Sequence, residues 1–215
     1  MEKLVLYIGN RNYSSWSMRA WMALEGSGIP FEDVLIPFDF AAGNPEIKAI
    51  SPTGLVPFLR HGSLNIWETL SIIEYAAELF PDAGVWPKDR EARSLARSIS
   101  AEMHAGFRAL RGACPMNMRR APDKIDLPDG VAPDVARIEA IWRDCLAKSG
   151  GPFLFGAFSA ADAMFAPVVS RFETYALDVS QQTQDYMATM MAHPYWVKWR
   201  DMALAEPWVV PEDEP

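Results

Sequence analysis

Residues 51–75 constrain the fold of this chain more than any other stretch of its sequence. Two short apolar runs, residues 56–59 and 64–66, flank a turn that contains Gly62. This pattern predicts a β-hairpin. Pro57 cannot donate a hydrogen bond to a neighbouring strand, so we expect it at the start of the first strand and not inside it.

A helix is predicted directly after the hairpin, because Leu70, Ile73 and Ala77 recur at helical spacing. Glu68 and Thr69 therefore lie where the second strand passes into the helix. Free backbone N–H groups and the positive end of the helix dipole favour an anion at such a place. Spacing alone leaves two interpretations open: an anion site, or a hairpin and helix that pack on a core without any ligand.

The elements before the hairpin predict a layered α/β domain. Residues 4–8 form a continuous apolar run, as expected of a strand that is buried on both faces. Residues 16–25 show helical spacing and residues 31–36 form a second strand, which gives a βαβ unit with a right-handed crossover. A loop with a short helix follows over residues 37–50. Together with the hairpin and its helix, this order is that of a thioredoxin-like domain over residues 1–80.

The second half of the chain predicts an all-helical domain over residues 89–215, joined to the first by a linker at residues 81–88. Apolar residues at spacings of three and four indicate one long amphipathic helix through Leu95, Ile99, Met103, Phe107 and Leu110. Ser159, with Asp162 three residues later, predicts a capping box that opens a buried helix. We expect a long loop over residues 113–132, which should border a functional site, and a frayed acidic C-terminal end.

Composition excludes several classes of protein. The chain has 215 residues, half of them hydrophobic, and a formal net charge of −8 with a pI near 4.9. Nucleic-acid binding without sequence preference needs clustered Lys and Arg, so we expect no nucleic-acid partner. No apolar run is long enough to span a membrane and no signal pattern opens the chain, so we expect no membrane partner. Cys114 and Cys145 make no disulfide framework, which favours a reducing, cytoplasmic location.

The stretch around the hairpin resembles the glutathione-binding half of the cytosolic glutathione S-transferases. The likeness rests on Ser-Pro-x-Gly-x-Val-Pro-x-Leu, the hairpin, an acid-hydroxyl pair, and a helix ending Ile-Ile-Glu-Tyr. It implies a cis bond before Pro57 and pairing of the Val56 backbone with the cysteinyl part of glutathione. It also implies that Glu68 and Thr69 hold the γ-glutamyl end, where the family more often has Ser at the hydroxyl position.

Residues 12–19, Asn-Tyr-Ser-Ser-Trp-Ser-Met-Arg, lie between the first strand and the first helix. A hydroxyl there points into the crevice at the carboxyl end of the strands. One interpretation is that a serine only caps the helix. The other is that a serine O–H donates to the thiolate of bound glutathione, which lowers the thiol pKa from its usual value of about 8.5. The helix N-terminus acts in the same direction.

The motif Ser-Ser-x-Ser-x-Arg is similar to the Ser-Ser-Cys-Ser-x-Arg motif of zeta-class transferases, which include maleylacetoacetate isomerase. This resemblance implies that Ser14 is the catalytic hydroxyl, that Ser15 assists, and that Arg19 is a structural or electrostatic helper. Trp16 replaces the zeta cysteine, a departure that bears on isomerase activity. Tyr7 lies inside the first strand, where tyrosine-type transferases place their tyrosine, and is a second candidate.

The second substrate, a small electrophile, is expected between the domains, against the long helix. Met103, His104, Phe107, Arg108 and Arg111 share one face of that helix, or nearly so. Met103 and Phe107 fit the core as well as a substrate site, whereas Arg108 and Arg111 are harder to bury and could receive a carboxylate. Asn117 and Arg119, on the neighbouring loop, could add to this site.

The resemblance covers essentially the whole chain and implies a glutathione transferase. Such an enzyme activates the thiol of glutathione, its co-substrate, for attack on a small electrophile, typically in detoxification. The alternatives are a glutathione-dependent isomerase of the maleylacetoacetate type, or a non-catalytic protein that binds glutathione or a partner on the same fold. The resemblance also implies a homodimer. We expect no metal, because the three histidines show no metal-ligand spacing.

Overall fold

A computed structural model describes residues 2–214 and begins with a four-stranded sheet and three helices. In chain order these are β1 (Leu4–Ile8), α1 (Ser15–Gly26), β2 (Glu32–Leu35), α2 (Pro45–Ile50), β3 (Phe58–His61), β4 (Leu64–Trp67) and α3 (Thr69–Leu79). The predicted βαβ unit, hairpin and following helix are confirmed, and with them the thioredoxin-like fold class.

The sheet has the strand order β2-β1-β3-β4. β1 pairs with β2 in parallel and with β3 in antiparallel register, while β3 and β4 form the hairpin. Leu4, Leu6 and Ile8 are buried on the face that packs against α1 and α3. The expectation that β1 is buried on both faces is wrong, because Val5 and Tyr7 alternate with these residues and are only partly covered.

The remainder of the chain is helical, and the fold is completed by a group of helices packed on the first half. These are α4 (Arg90–Ala105), α5 (Arg108–Ala113), α6 (Val131–Ser149), α7 (Ala160–Thr174), α8 (Gln181–Ala192) and α9 (Pro194–Leu204). Almost every residue of α7 is buried, because this helix packs against α1 and α4 as well as α8. The predicted capping box at Ser159 and Asp162 is confirmed at its start.

The predicted long helix is two helices, which corrects the sequence analysis. α4 ends before Gly106, whose backbone is extended, and Phe107 takes a left-handed conformation with φ of 55°. A Cβ atom on residue 106 would lie 2.8 Å from the carbonyl oxygen of Glu102, so glycine permits the break. Apolar periodicity continues across it, because the left-handed turn still directs the Phe107 ring into the core.

The helical half differs from the sequence expectations in two more places. α8 was not predicted, and the C-terminal end is docked and not frayed, with Glu206 and Val210 buried. The division at residues 81–88 stays a prediction; that segment contains a single 3-10 turn, Pro81–Ala83. Among the residues that the structure describes, no helix has both the length and the apolar character needed to cross a membrane.

Candidate functional site

Two adjoining clefts lie where the sheet layer meets the helices. The smaller, of about 270 Å³, is lined by Trp16, Thr53, Leu55, Val56, Pro57, Glu68, Thr69 and His104. The larger, of about 630 Å³, is lined by Ser15, Trp16, His104, Ala105, Arg108, Arg111, Gly112 and Arg171. Trp16 and His104 line both clefts and form their shared wall.

The four residues predicted to bind glutathione come together in the smaller cleft. Val56 and Pro57 reach it from the entry to β3, and the peptide bond between them is cis. Within residues 2–214 the backbone N–H and C=O of Val56 make no hydrogen bond to the protein. Glu68 and Thr69 reach the cleft from the start of α3. Backbone groups and a helix N-terminus therefore face the same space.

Glu68 and Thr69 present different groups to this cleft. The Glu68 backbone has φ of 67°, unusual for a residue with a side chain, and its carboxylate lies 3.6 Å from His104 Nε2. The Thr69 hydroxyl is buried and donates to the Trp16 carbonyl at 3.2 Å. Thr69 therefore ties the start of α3 to the start of α1, and offers a ligand its backbone N–H.

The two predicted catalytic serines have different surroundings. Ser14 is the N-cap of α1: its hydroxyl donates to Ser17 Oγ at 2.7 Å and accepts from the Ser17 N–H at 3.4 Å. Ser17 Oγ also accepts the N–H of Gly9 at 3.1 Å, which joins the helix start to the end of β1. Ser15 lines the larger cleft, and no hydrogen bond to its hydroxyl is seen within residues 2–214.

Trp16 is held between cationic groups. The guanidinium carbons of Arg19 and Arg111 lie 4.5 Å and 4.7 Å from the centroid of its ring. The His104 ring meets the indole edge-on at 5.0 Å. Such cation–π contacts are worth about 0.5–2 kcal/mol each, more where water is excluded. The wall between the clefts is therefore fixed by packing and charge.

The larger cleft is strongly cationic. Arg108, Arg111 and Arg171 line it, and no acidic side chain is among its lining residues. Burial and, to a smaller extent, the charge of Arg111 lower the pKa of Arg171 to about 10. Burial likewise lowers the pKa of Arg111, with a smaller effect from Arg108. Arg19, behind Trp16, is completely buried, which lowers its pKa well below the usual value. The clustered cations favour an anionic ligand.

Several residues predicted for the second substrate lie elsewhere. Met103 and Phe107 are buried in the core and line neither cleft, because both lie on the apolar face that packs inward. Asn117 and Arg119 form hydrogen bonds with Asn12, in the turn before Ser14. Arg108 and Arg111 do line the larger cleft, as does His104.

Tyr7 lies on the sheet face opposite α1 and α3. Its ring stacks on Phe58 at 4.4 Å, and its hydroxyl accepts from Arg60 Nη1 at 3.3 Å. It lines neither cleft, whereas Ser15 lines the larger one.

Sequence reasoning missed the place of Arg171 and the wall formed by Trp16. Arg171 follows a run of apolar and small residues in α7, and an arginine in such a run is a detectable signal of a buried polar role. In the sequence, Trp16 is notable only because it replaces the cysteine of the zeta-class motif. Its position between two arginines depends on Arg111, which is remote in sequence.

Comparison with known proteins identifies the family. The model of the glutathione S-transferase N-terminal domain matches residues 13–79, and that of the C-terminal domain matches residues 129–201. Maleylacetoacetate isomerase of Rattus norvegicus is 28% identical over 182 residues, 83% of this chain and 82% of that protein. A probable maleylacetoacetate isomerase of Caenorhabditis elegans is 36% identical over 109 residues, 51% of this chain and 50% of that protein.

Solved structures show the same fold. A glutathione transferase homologue from Burkholderia with bound glutathione has a TM-score of 0.71 at 23% identity. The match covers 94% of this chain and 98% of that homologue's chain. A theta-class glutathione S-transferase from Xanthomonas axonopodis pv. citri, with glutathione bound, has a TM-score of 0.67 at 21% identity. The match covers 95% of this chain and 100% of that chain. The two domain models and this fold together place the chain in the glutathione S-transferase family, whose members use glutathione as co-substrate.

Proposed function

We propose that this protein is a glutathione transferase in which a serine hydroxyl stabilises the thiolate of bound glutathione. The observation that carries the proposal is the wall of Trp16 and His104, shared by two adjoining clefts. Glutathione in the smaller cleft has its sulfur beside Ser15 at this wall, and an electrophile in the larger cleft then lies within reach of that sulfur.

The smaller cleft suits the peptide part of glutathione. The free N–H and C=O of Val56 pair with the cysteinyl backbone in the manner of an added strand. The carboxylate of Glu68 receives the ammonium of the γ-glutamyl end, and the first N–H groups of α3 receive its carboxylate. The Glu68 backbone supports this role, because residues in such sparsely populated conformations cost about 1–3 kcal/mol and cluster at ligand sites.

Ser15 is the hydroxyl that we assign to the thiolate. The Ser14 proton is already donated to Ser17, whereas Ser15 lines the larger cleft from the first turn of α1. A donor to the ionised sulfur and a helix N-terminus both lower a thiol pKa. Ser14 then sets the position of the helix start, and Pro57 lines the smaller cleft.

The chemistry requires no covalent bond to the protein. The glutathione thiol loses its proton to solvent, and the thiolate attacks the electrophilic carbon, forming a sulfur–carbon bond with a sulfur lone pair. In a substitution the leaving group departs with its bonding electrons. In an addition the carbon next to the attacked centre takes a proton from solvent. Ser15 holds the sulfur by its hydrogen bond until the lone pair is used.

The larger cleft favours electrophiles that carry a carboxylate or another anion. Arg108, Arg111 and Arg171 present three guanidinium groups there, and burial, with a smaller contribution from their mutual repulsion, lowers the pKa values of Arg111 and Arg171. A bound anion offsets this repulsion, and guanidinium groups bind carboxylates in bidentate geometry. Met103 and Phe107 are buried in the core and are not assigned to the electrophile.

The test is to titrate the thiol of bound glutathione by its thiolate absorbance. The wild type is expected to show a pKa below that of free glutathione. Ser15→Ala should return the pKa toward the free value, while Ser14→Ala, the matched control, should change it little. If glutathione binds all three proteins but neither substitution moves the thiol pKa, the serine assignment is wrong. A thiol pKa in the wild type equal to the free value would leave a glutathione-binding protein without transferase chemistry.

A second candidate is a glutathione-dependent isomerase, favoured by the similarity to the rat maleylacetoacetate isomerase and by the cationic cleft. The two reactions differ in stoichiometry. A transferase consumes one glutathione per product, whereas an isomerase adds the sulfur and then expels it, so that glutathione is recovered. A panel of aromatic halides, epoxides, peroxides and maleyl compounds, with glutathione measured before and after, separates them. We also propose that the protein is a homodimer. Measurement of its molecular mass in solution would test this.

A further inference from the structure

The turn ahead of the two serines is held from the far end of the chain. The N–H of Arg11 donates to Glu206 Oε1 at 2.9 Å, and the N–H of Asn12 donates to Glu206 Oε2 at 3.3 Å. Both oxygens of one carboxylate therefore bind successive backbone amides between β1 and α1. Glu206 follows α9 and lies outside the segments that the two family models match.

The environment of Glu206 makes these hydrogen bonds strong. The side chain is buried, and the Arg11 guanidinium lies 3.6 Å from Oε1. Hydrogen bonds to an ionised acceptor are about twice as strong as those between neutral groups, and exclusion of water increases the difference. Burial raises the Glu206 pKa, while the two amides and the charges of Arg11 and Arg119 lower it. The Glu206 carboxylate therefore interacts with the two backbone amides and with Arg11, and little with solvent.

A second set of contacts holds the same turn through the loop after α5. The Asn12 side chain donates to Asn117 Oδ1 at 2.9 Å and accepts from the Arg119 N–H at 2.9 Å. The Asn12 carbonyl accepts from the Met118 N–H at 3.3 Å. The loop between α5 and α6 therefore contacts the turn that precedes the two serines.

Arg119 joins the two sets of contacts. Its guanidinium donates to the Glu206 carbonyl at 2.6 Å and to the Tyr13 hydroxyl at 2.8 Å. Trp199 Nε1 donates to the Arg11 carbonyl at 3.1 Å. Both backbone polar groups of Arg11 are therefore bound by residues from α9 and the segment after it.

The turn is coupled to the first turn of α1. The N–H of Ser15 donates to the Tyr13 carbonyl at 2.9 Å, and the N–H of Ser14 donates to the Asn10 carbonyl at 2.7 Å. Displacement of Arg11 and Asn12 is therefore passed on to Ser15. A displacement of about 1 Å in a reacting group can cost about 100-fold in rate.

We propose that Glu206 is a positioning residue for the thiolate site: its carboxylate fixes the backbone of Arg11 and Asn12 and thereby the place of the Ser15 hydroxyl. The proposal rests on the proposed function, because it concerns the hydroxyl that faces the glutathione sulfur. In this proposal Glu206 does not contact the substrate. The proposal predicts that a residue outside both matched domain segments controls the thiol pKa.

The experiment compares Glu206→Ala and Glu206→Gln with Glu212→Gln in the full chain. Glu212 is an exposed acid of the same segment, and no hydrogen bond of its side chain is seen in the described part of the chain. Each protein is assayed for the pKa of the bound glutathione thiol, for kcat and KM, and for hydrogen–deuterium exchange of the peptide over residues 9–14. Glu206→Gln keeps one acceptor oxygen, so it reports on the site if Glu206→Ala fails to fold.

We expect Glu206→Ala to raise the thiol pKa, to lower kcat by roughly 10-fold to 100-fold, and to accelerate exchange in residues 9–14. KM for glutathione should change less, because the smaller cleft is intact. Glu206→Gln should be intermediate, and Glu212→Gln should match the wild type. A folded Glu206→Ala with lower thermal stability but the wild-type thiol pKa and exchange would overturn the proposal. If both variants accelerate exchange but the wild-type thiol pKa equals the free value, Glu206 holds the turn, but the proposed function fails and with it the role of Glu206 in the thiolate site.

Discussion

The hydroxyl of Ser14 donates a hydrogen bond to the hydroxyl of Ser17, with 2.7 Å between the oxygens, and accepts one from the Ser17 backbone N–H. The hydroxyl of Ser14 is therefore used within the first turn of α1. Ser15, the next residue, lines the larger cleft. Two adjacent serines in one motif thus take different surroundings, and this difference can be measured.

Substitution of each serine by alanine should affect different properties. Ser14→Ala removes an N-cap, so the free energy of unfolding should fall by about 1 kcal/mol, while the thiol pKa changes little. Ser15→Ala should have the smaller effect on stability, because its hydroxyl has no partner within residues 2–214, but it should raise the thiol pKa by about one unit. Chemical denaturation and thiolate absorbance measure the two quantities. The reverse pattern would return the catalytic role to Ser14.

Phe107 should contribute to stability and not to substrate binding. Phe107→Ala leaves a cavity in the core, and the free energy of unfolding should fall by about 3–5 kcal/mol. Met103→Leu, which conserves volume, should cost less than about 1.5 kcal/mol. KM for the electrophile should stay within about twofold of wild type in Met103→Leu. A large rise in KM in that variant, without loss of stability, would restore Met103 to the substrate site.

Arg108 should bind the anionic group of an electrophile. Arg108 is exposed and lines the larger cleft, so Arg108→Ala should raise KM for an anionic electrophile by about twofold to fivefold, the range of exposed ion pairs. KM for a neutral electrophile should not change. Arg90→Ala, an exposed arginine at the start of α4, is the control. Added salt should reduce the difference, because it screens exposed charges. Equal effects of the two substitutions would argue against an anion site.

Asp162 should make stability depend on pH. Burial raises its pKa from 3.8 to about 6, although it accepts from the N–H groups of Leu154 and Ser159 and from the Tyr186 hydroxyl. Its folded pKa exceeds its unfolded pKa, so the stability from protonation is complete below pH 3.8 and is lost as the pH rises through about 6. Asp162→Asn cannot titrate, and it weakens the acceptor for two buried amides, each worth about 1–3 kcal/mol.

Urea denaturation at a series of pH values tests this. The free energy of unfolding of wild type minus that of Asp162→Asn should decrease between pH 3.8 and about 6 and then level off. Glu173→Gln, which replaces an exposed acid of the same helix, should follow the wild-type curve. A difference that stays constant over this range would show that Asp162 does not titrate there.

The residues predicted for the smaller cleft came from one contiguous stretch of sequence. Val56, Pro57, Glu68 and Thr69 lie at one hairpin and the start of one helix, so turn chemistry and spacing predict these local elements, while the family resemblance implied the role of the residues. The residues around the larger cleft come from α1, α4, α5 and α7. Met103 and Phe107 line neither cleft, because their apolar spacing marks the face that packs into the core.

The sequence by itself determined the order of elements up to α3, the hairpin that leads into α3, the capping box at Ser159 and the family resemblance. These depend on neighbours within a few residues, where periodicity, turns and caps act. Only the tertiary structure decided that the chain breaks at Gly106, that Trp16 lies between Arg19 and Arg111, and that Glu206 binds the amides of Arg11 and Asn12. Glu206 and Arg11 are separated by 195 residues, so packing of the whole chain, and no local preference, brings that carboxylate to those amides.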